Sequence, residues 1–207
     1  SLNEFKEYPN AGIVLQAYMP RTGADLDSLI SWGRTRGVPF GVRLVKGAYW
    51  DAEVTLCKQK GWLPPVWMKK ESSDAYYEKL SIELLQNADI VKPAFASHNV
   101  RSLVHAITAA KQLGVDNTQF EIQTLYGMAV AIKKEFAKMG YLVREYSPVG
   151  EMLPGMAYLV RRLMENTSNS GFLRLGFHDN VATDILLRKP SLETREQLPP
   201  VDTTTFS

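Results

Sequence analysis

Short runs of β-branched and aromatic residues alternate with helical segments along most of this 207-residue chain, and three of the helical segments stop on a glycine, at Gly37, Gly114 and Gly140. Glycine readily takes the left-handed conformation that closes a helix, so each of these marks a return from helix to strand. The pattern predicts strands over residues 12–18, 39–47, 90–96, 119–125 and 141–146. It predicts helices over residues 26–36, 74–87, 100–113, 128–139 and 154–166. In the third of these Val100, Leu103, Val104 and Ile107 recur at helical spacing, a stripe suited to packing on a sheet. Strands separated by helices pair in parallel, because a parallel connection needs room for a crossover. Such a sheet closes into an eight-stranded barrel or stays open and doubly wound, and five units are too few for the closed form. The expectation is a piece of a larger fold whose first strands lie upstream. Residues 51–73 are too long for a routine strand-to-helix loop and are expected to hold a helix and a segment covering the mouth of the site.

Charge and composition narrow the function by exclusion. Lys and Arg exceed Asp and Glu by 24 to 22, with 45% hydrophobic and 22% charged residues, the balance of a globular protein. No basic block accompanies the small positive excess, so no nucleic-acid surface is expected. The lone Cys57 excludes an internal disulfide and a cysteine-rich zinc site. No apolar run approaches the roughly 18 residues of a membrane-spanning helix and the polar first residues form no signal-peptide core, so the expected location is cytoplasmic. The portable nucleotide-binding, hydrolase and metalloprotease motifs are missing. His98, His105 and His178 are too scattered in sequence to argue a metal site.

What remains is polar side chains where a strand should be apolar. Alternation in residues 41–47 puts Arg43 on one face with Val45 and Gly47, opposite Val42, Leu44 and Lys46. If Arg43 points inward it needs a carboxylate or an electron-rich ligand; if Val42 and Leu44 do, it snorkels between helices. Gln16 and Gln123 add neutral hydrogen-bonding groups near strand C-termini, the end at which barrel active sites sit. In the last helix Tyr158, Arg161, Arg162 and Glu165 share a face opposite Met156, Leu159, Val160 and Leu163. That face is either solvated, with an Arg161–Glu165 ion pair, or a clamp for a small carboxylate, since paired guanidinium forks suit one.

Four ordered blocks, GVRLVKGAYWD at residues 41–51, FASHN at 95–99, FEIQTLYGM at 120–128 and YLVRRLMEN at 158–166, resemble the proline dehydrogenase family, and within it the dehydrogenase domain of its bifunctional members. The resemblance implies an α/β fold, a (βα)8 TIM barrel, with residues 1–188 forming its C-terminal part and residues 189–207 a linker or tail toward an aldehyde dehydrogenase domain in the parent chain. It implies oxidation of L-proline to Δ1-pyrroline-5-carboxylate on noncovalent FAD, with a membrane quinone as electron acceptor and an address at most peripheral to the inner membrane. On the flavin it places Gln16, Arg43, Val45, Lys46, Gly47, Tyr49, Trp50, Ser97, His98, Asn99, Gln123, Leu125 and Glu165, with the Val45, Lys46 and Gly47 turn approaching through backbone. On the substrate it places Arg161 and Arg162 at the carboxylate and Tyr146 and Tyr158 around the ring. The family's active-site Lys and Asp on early strands have no counterpart in this sequence, so the chain by itself is expected to be an incomplete enzyme. Competing readings are a phosphate-binding barrel lyase or isomerase and an inactive barrel fragment.

Overall fold

In a computed structural model, which describes residues 7–151, 153, 155, 156, 158, 160, 184 and 187–192, the alternation is realised as one parallel sheet flanked by helices. Its strands are β1 (Gly12–Gln16), β2 (Phe40–Val45), β3 (Val91–Ala96), β4 (Glu121–Leu125) and β5 (Val143–Tyr146). They pair in the order β1-β2-β3-β4-β5. The helices are α1 (Thr22–Arg36), α2 (Trp50–Lys60), α3 (Lys70–Gln86), α4 (Val100–Leu113) and α5 (Val130–Lys138). A doubly wound sheet reverses its strand order at a switch point, whereas unbroken sequential order with right-handed crossovers sends every helix to the same face, as in a barrel.

One face of the sheet is the core. Leu15, Val42, Leu44, Val91, Phe95 and Ile122 lie buried with Leu26 and Ile30 of α1, Tyr77, Leu80 and Leu84 of α3 and Leu103 of α4. Each such side chain contributes about 1.5–3 kcal/mol by leaving water. Gly33 lets α1 approach β2 closely: a Cβ there would stand 2.3 Å from the Phe40 ring.

Several boundaries depart from the sequence expectation for local reasons. The strands are shorter, since residues 17–18 and 46–47 turn out of the ladder. Helix α1 begins at Thr22 because the Thr22 hydroxyl donates to the Gln16 carbonyl at 2.6 Å and the Tyr76 hydroxyl accepts from Gly23 N–H at 2.9 Å. Helix α2, inside the long connection, ends on Gly61, and α3 starts at Lys70 rather than residue 74. On α4 the buried face runs through Leu103, Ala106, Ile107 and Ala110, while Val104 is 45% exposed. The sequence stripe was rotated because it ignored alanines, which pack well against a sheet. The helix expected over residues 154–166 lies largely outside the described residues.

Candidate active site

The face turned away from the helices carries the polar residues. Register places Arg43 beside Val14 and Ala94, Ala94 beside Glu121, and Gln123 beside Arg144. Neighbours in parallel register share a face, so these side chains project together, and Arg43 points inward rather than between helices. Its Nε is buried with no hydrogen-bond partner among the described residues. The guanidinium carbon stands 5.4 Å from the Tyr146 ring centre, and Tyr146 in turn packs on Tyr158 with ring centres 5.5 Å apart. Arg43, Tyr146 and Tyr158 are therefore brought together by β2, β5 and the segment that follows it.

The turn after β2 is held from three sides. Ala17 N–H donates to the Val45 carbonyl at 2.8 Å and Tyr18 N–H to the Lys46 carbonyl at 2.7 Å. Gly47 has φ 140° and a Cβ there would lie 2.4 Å from the Tyr18 ring, so any side chain collides. The Lys46 side chain leaves by the opposite face, where its ammonium pairs with Asp74 and donates to Ser102 Oγ at 2.9 Å. Burial lowers the Lys46 ammonium to about 8. Burial pushes the Asp74 carboxyl up, but the Lys46 and Lys70 ammoniums outweigh it and hold the carboxyl below its usual range. The Lys46 side chain is thus engaged on the helix side of the sheet, away from Arg43. Replacing Gly47 by Ala is expected to cost at least about 1–3 kcal/mol, from strain at a positive φ plus the Tyr18 collision. Urea unfolding measures it, and an unchanged midpoint would contradict the close approach.

At the ends of β3 and β4 the side chains lock one another. His98 Nε2 accepts from Leu125 N–H at 3.1 Å, which puts the imidazole proton on Nδ1. Ser97 Oγ accepts from Asn99 N–H at 3.1 Å, and Asn99 Oδ1 caps α4 by accepting from Ser102 N–H at 3.3 Å. The long connection returns over Tyr18: Trp67 N–H donates to the Tyr18 carbonyl and Trp50 Nε1 to the Trp67 carbonyl, both at 2.8 Å, while Val54 and Val66 are buried with Tyr18. Tyr49 and Trp50 are partly exposed on this covering segment. Gln16 is half-buried at the end of β1. Arg161, Arg162 and Glu165 lie outside the described residues.

Three charges on this face escaped the sequence reading, Lys92 near the start of β3, Glu121 and Arg144. Arg144 Nε donates to both Glu121 oxygens at 3.0 Å and its Nη2 donates to Oε2 at 2.8 Å. The signal was available, since Glu121 stands two residues before Gln123 and must share its face.

Sequential parallel strands with helices on one side and a polar cluster on the other define part of a (βα) barrel. The chain belongs to the proline dehydrogenase family, whose sequence profile matches residues 1–175. That family is generally flavin-dependent. The chain is 32% identical over 197 residues to the bifunctional protein PutA of Klebsiella aerogenes, covering 90% of this chain and 15% of that protein. It is 36% identical over 167 residues to proline dehydrogenase 2 of Bacillus subtilis, covering 81% of this chain and 48% of that protein. Its backbone superposes on the crystal structure of proline utilization A from Bdellovibrio bacteriovorus inactivated by N-propargylglycine with a TM-score of 0.88, at 52% identity, covering 91% of this chain and 20% of that one. The chain therefore spans about 15% of the length of the bifunctional PutA relative.

Proposed function

We propose that this chain supplies the flavin-facing and carboxylate-binding part of a site that oxidises L-proline to Δ1-pyrroline-5-carboxylate on FAD. The observation that carries the reading is the inward Arg43, whose buried Nε has no hydrogen-bond partner among the described residues on a face where strands normally carry apolar groups. A guanidinium so placed calls for an electron-rich ligand. The residues fit the cofactor. Arg43 and the amides of Gln16 and Gln123 offer hydrogen bonds, Gly47 lets the turn of Val45, Lys46 and Gly47 present bare backbone, and Tyr49, Trp50 and Leu125 supply apolar contact. Ser97, His98, Asn99 and Glu165 would meet the dinucleotide portion. Bound there, FAD would supply the hydride acceptor for the proline ring carbon next to nitrogen and remote from the carboxylate, the nitrogen giving up its proton as the C=N bond forms. Arg43 favours the charge that this transfer adds, while Tyr146 and Tyr158 wall the pyrrolidine ring.

Arg161 and Arg162 would fix the substrate through its carboxylate. Because alanine removes one of the two guanidinium forks, Arg162→Ala in the full-length protein is expected to raise KM for proline about a hundredfold, and Lys there to restore it only in part. Unchanged KM would favour the solvated face. In the parent protein residues 189–207 would lead toward an aldehyde dehydrogenase domain, consistent with the bifunctional relative. A membrane quinone would be the final electron acceptor, met at the membrane surface. Among the described residues no helix is long and apolar enough to cross a membrane. The decisive experiment is anaerobic addition of L-proline to the purified full-length protein: bleaching of its flavin absorbance supports the reading, and absence of either flavin or bleaching overturns it.

A further inference from the structure

Glu121 opens β4 with its side chain on the inner face, 16% exposed, and it is surrounded by donors. Gln123, two residues on and nearly buried, donates its Nε2 to Glu121 Oε1, while Arg144 from β5 forks onto both carboxylate oxygens. A carboxylate only accepts, so this contact decides which way the Gln123 amide is turned: one N–H of its nitrogen goes to Glu121 and its carbonyl oxygen is left to the site. Arg43 reaches the same cluster across Ala94 in the shared register row. Burial pushes the Glu121 carboxyl up, but hydrogen bonds from Arg144 and Gln123 and the charges of Arg144 and Arg43 leave it below its usual range. Among the described residues the inner face therefore sets the Glu121 carboxylate among the guanidiniums of Arg144 and Arg43.

We propose that Glu121 is a positioning residue of the flavin site, turning Gln123 so that it offers an acceptor to the cofactor and tempering the field with which Arg43 acts on it. The inference rests on the FAD reading given above. Removing the negative charge leaves Arg43 less compensated, so the reduced, electron-rich flavin gains relative to the oxidised form. Removing Arg144 instead leaves Glu121 less compensated and acts in the opposite sense, by less, because Arg144 is largely exposed and screened.

The test is the midpoint potential of the bound flavin in the full-length protein, measured by dye-coupled titration for wild type, Glu121→Gln and Arg144→Met. Expected are a positive shift for Glu121→Gln of about 30 mV, equal to a tenfold tighter hold on the reduced two-electron form, and a smaller negative shift for Arg144→Met. Glu121→Asp, which keeps the charge, should return toward the wild-type potential. A residue that merely braced β4 against β5 would give both charge-removing variants the same effect, and shifts of the same sign, or none, overturn the proposal. Should Glu121→Gln fail to fold, the negative sign expected of Arg144→Met still decides it. A wild-type protein without flavin would sink the FAD reading and this proposal with it, whereas a yellow wild type with unshifted variants would sink this proposal alone.

Discussion

Arg43→Met in the full-length protein is expected to lower the potential of the bound flavin and to slow its reduction by proline between a hundredfold and a thousandfold. The magnitude follows from what one pre-aimed donor is worth to a developing negative charge in a site shielded from water, about 3–4 kcal/mol. Arg144 does not substitute for the missing cation, since its fork is occupied by Glu121. Methionine is close in length and can keep touching the Tyr146 ring through its sulfur, so the fold should survive. Arg43→Lys should recover part of the potential through charge and little of the rate, because a single ammonium cannot reproduce the aim of the planar fork. Anaerobic stopped-flow reduction and a parallel potentiometric titration measure both quantities. A variant that kept its potential and its rate would remove Arg43 from the chemistry and leave its inward burial without an account.

How far such a site can be read from sequence depends on the range of the interactions that build it. The strand-helix alternation and the phase of β2 rest on spacing of two or of about 3.6 residues, so the opposition of Arg43 to Val42 and Leu44 was visible at once. Which face was inward was not, because that depends on the side the helices take, a property of the whole sheet. Helix α1 begins a turn earlier than its apolar pattern because Tyr76 of α3 holds the Gly23 amide in its first turn, a contact 53 residues away in the chain. Ser97, His98 and Asn99 were named through family resemblance, yet the His98 link to Leu125 N–H joins two strand ends that only folding makes neighbours. Glu121 was legible from β4's alternation alone, whereas its partner Arg144 sits on the next strand, 23 residues on, with no local signal to join them. Lys46 was legible only in part. Its place opposite Arg43 followed from the period of two, but that this is the outer face, and its partner Asp74, 28 residues on, are set by the fold.

That last pair gives the largest expected effect on stability. Lys46 and Asp74 are nearly buried, with side-chain exposures of 19% and 16%, in the layer between sheet and helices. Asp74→Ala strips the ammonium of its counter-charge and leaves it with the Ser102 hydroxyl, a change expected to cost about 3–5 kcal/mol at neutral pH. The pH dependence identifies the cause. Lys46 titrates at about 8 in the folded protein against 10.5 ordinarily, so between those values the unfolded chain holds more protons and the contribution of this group to stability rises with pH. Without Asp74 the folded value falls further. The deficit of the variant is then complete below that new value and shrinks as pH rises through about 8, where Lys46 becomes neutral in both proteins. Urea unfolding of wild type and variant at neutral pH and again near pH ~9.5 should therefore show the gap narrowing. Lys46→Met should be milder, because Asp74 keeps Lys70 at 3.0 Å. Combined with Asp74→Ala it should recover most of the stability, since an apolar pair in that layer needs no partner. A gap that stayed constant with pH, or a double variant as unstable as Asp74→Ala alone, would mean that the aspartate works by packing and that the turn of Val45, Lys46 and Gly47 is held by Tyr18 and the backbone alone.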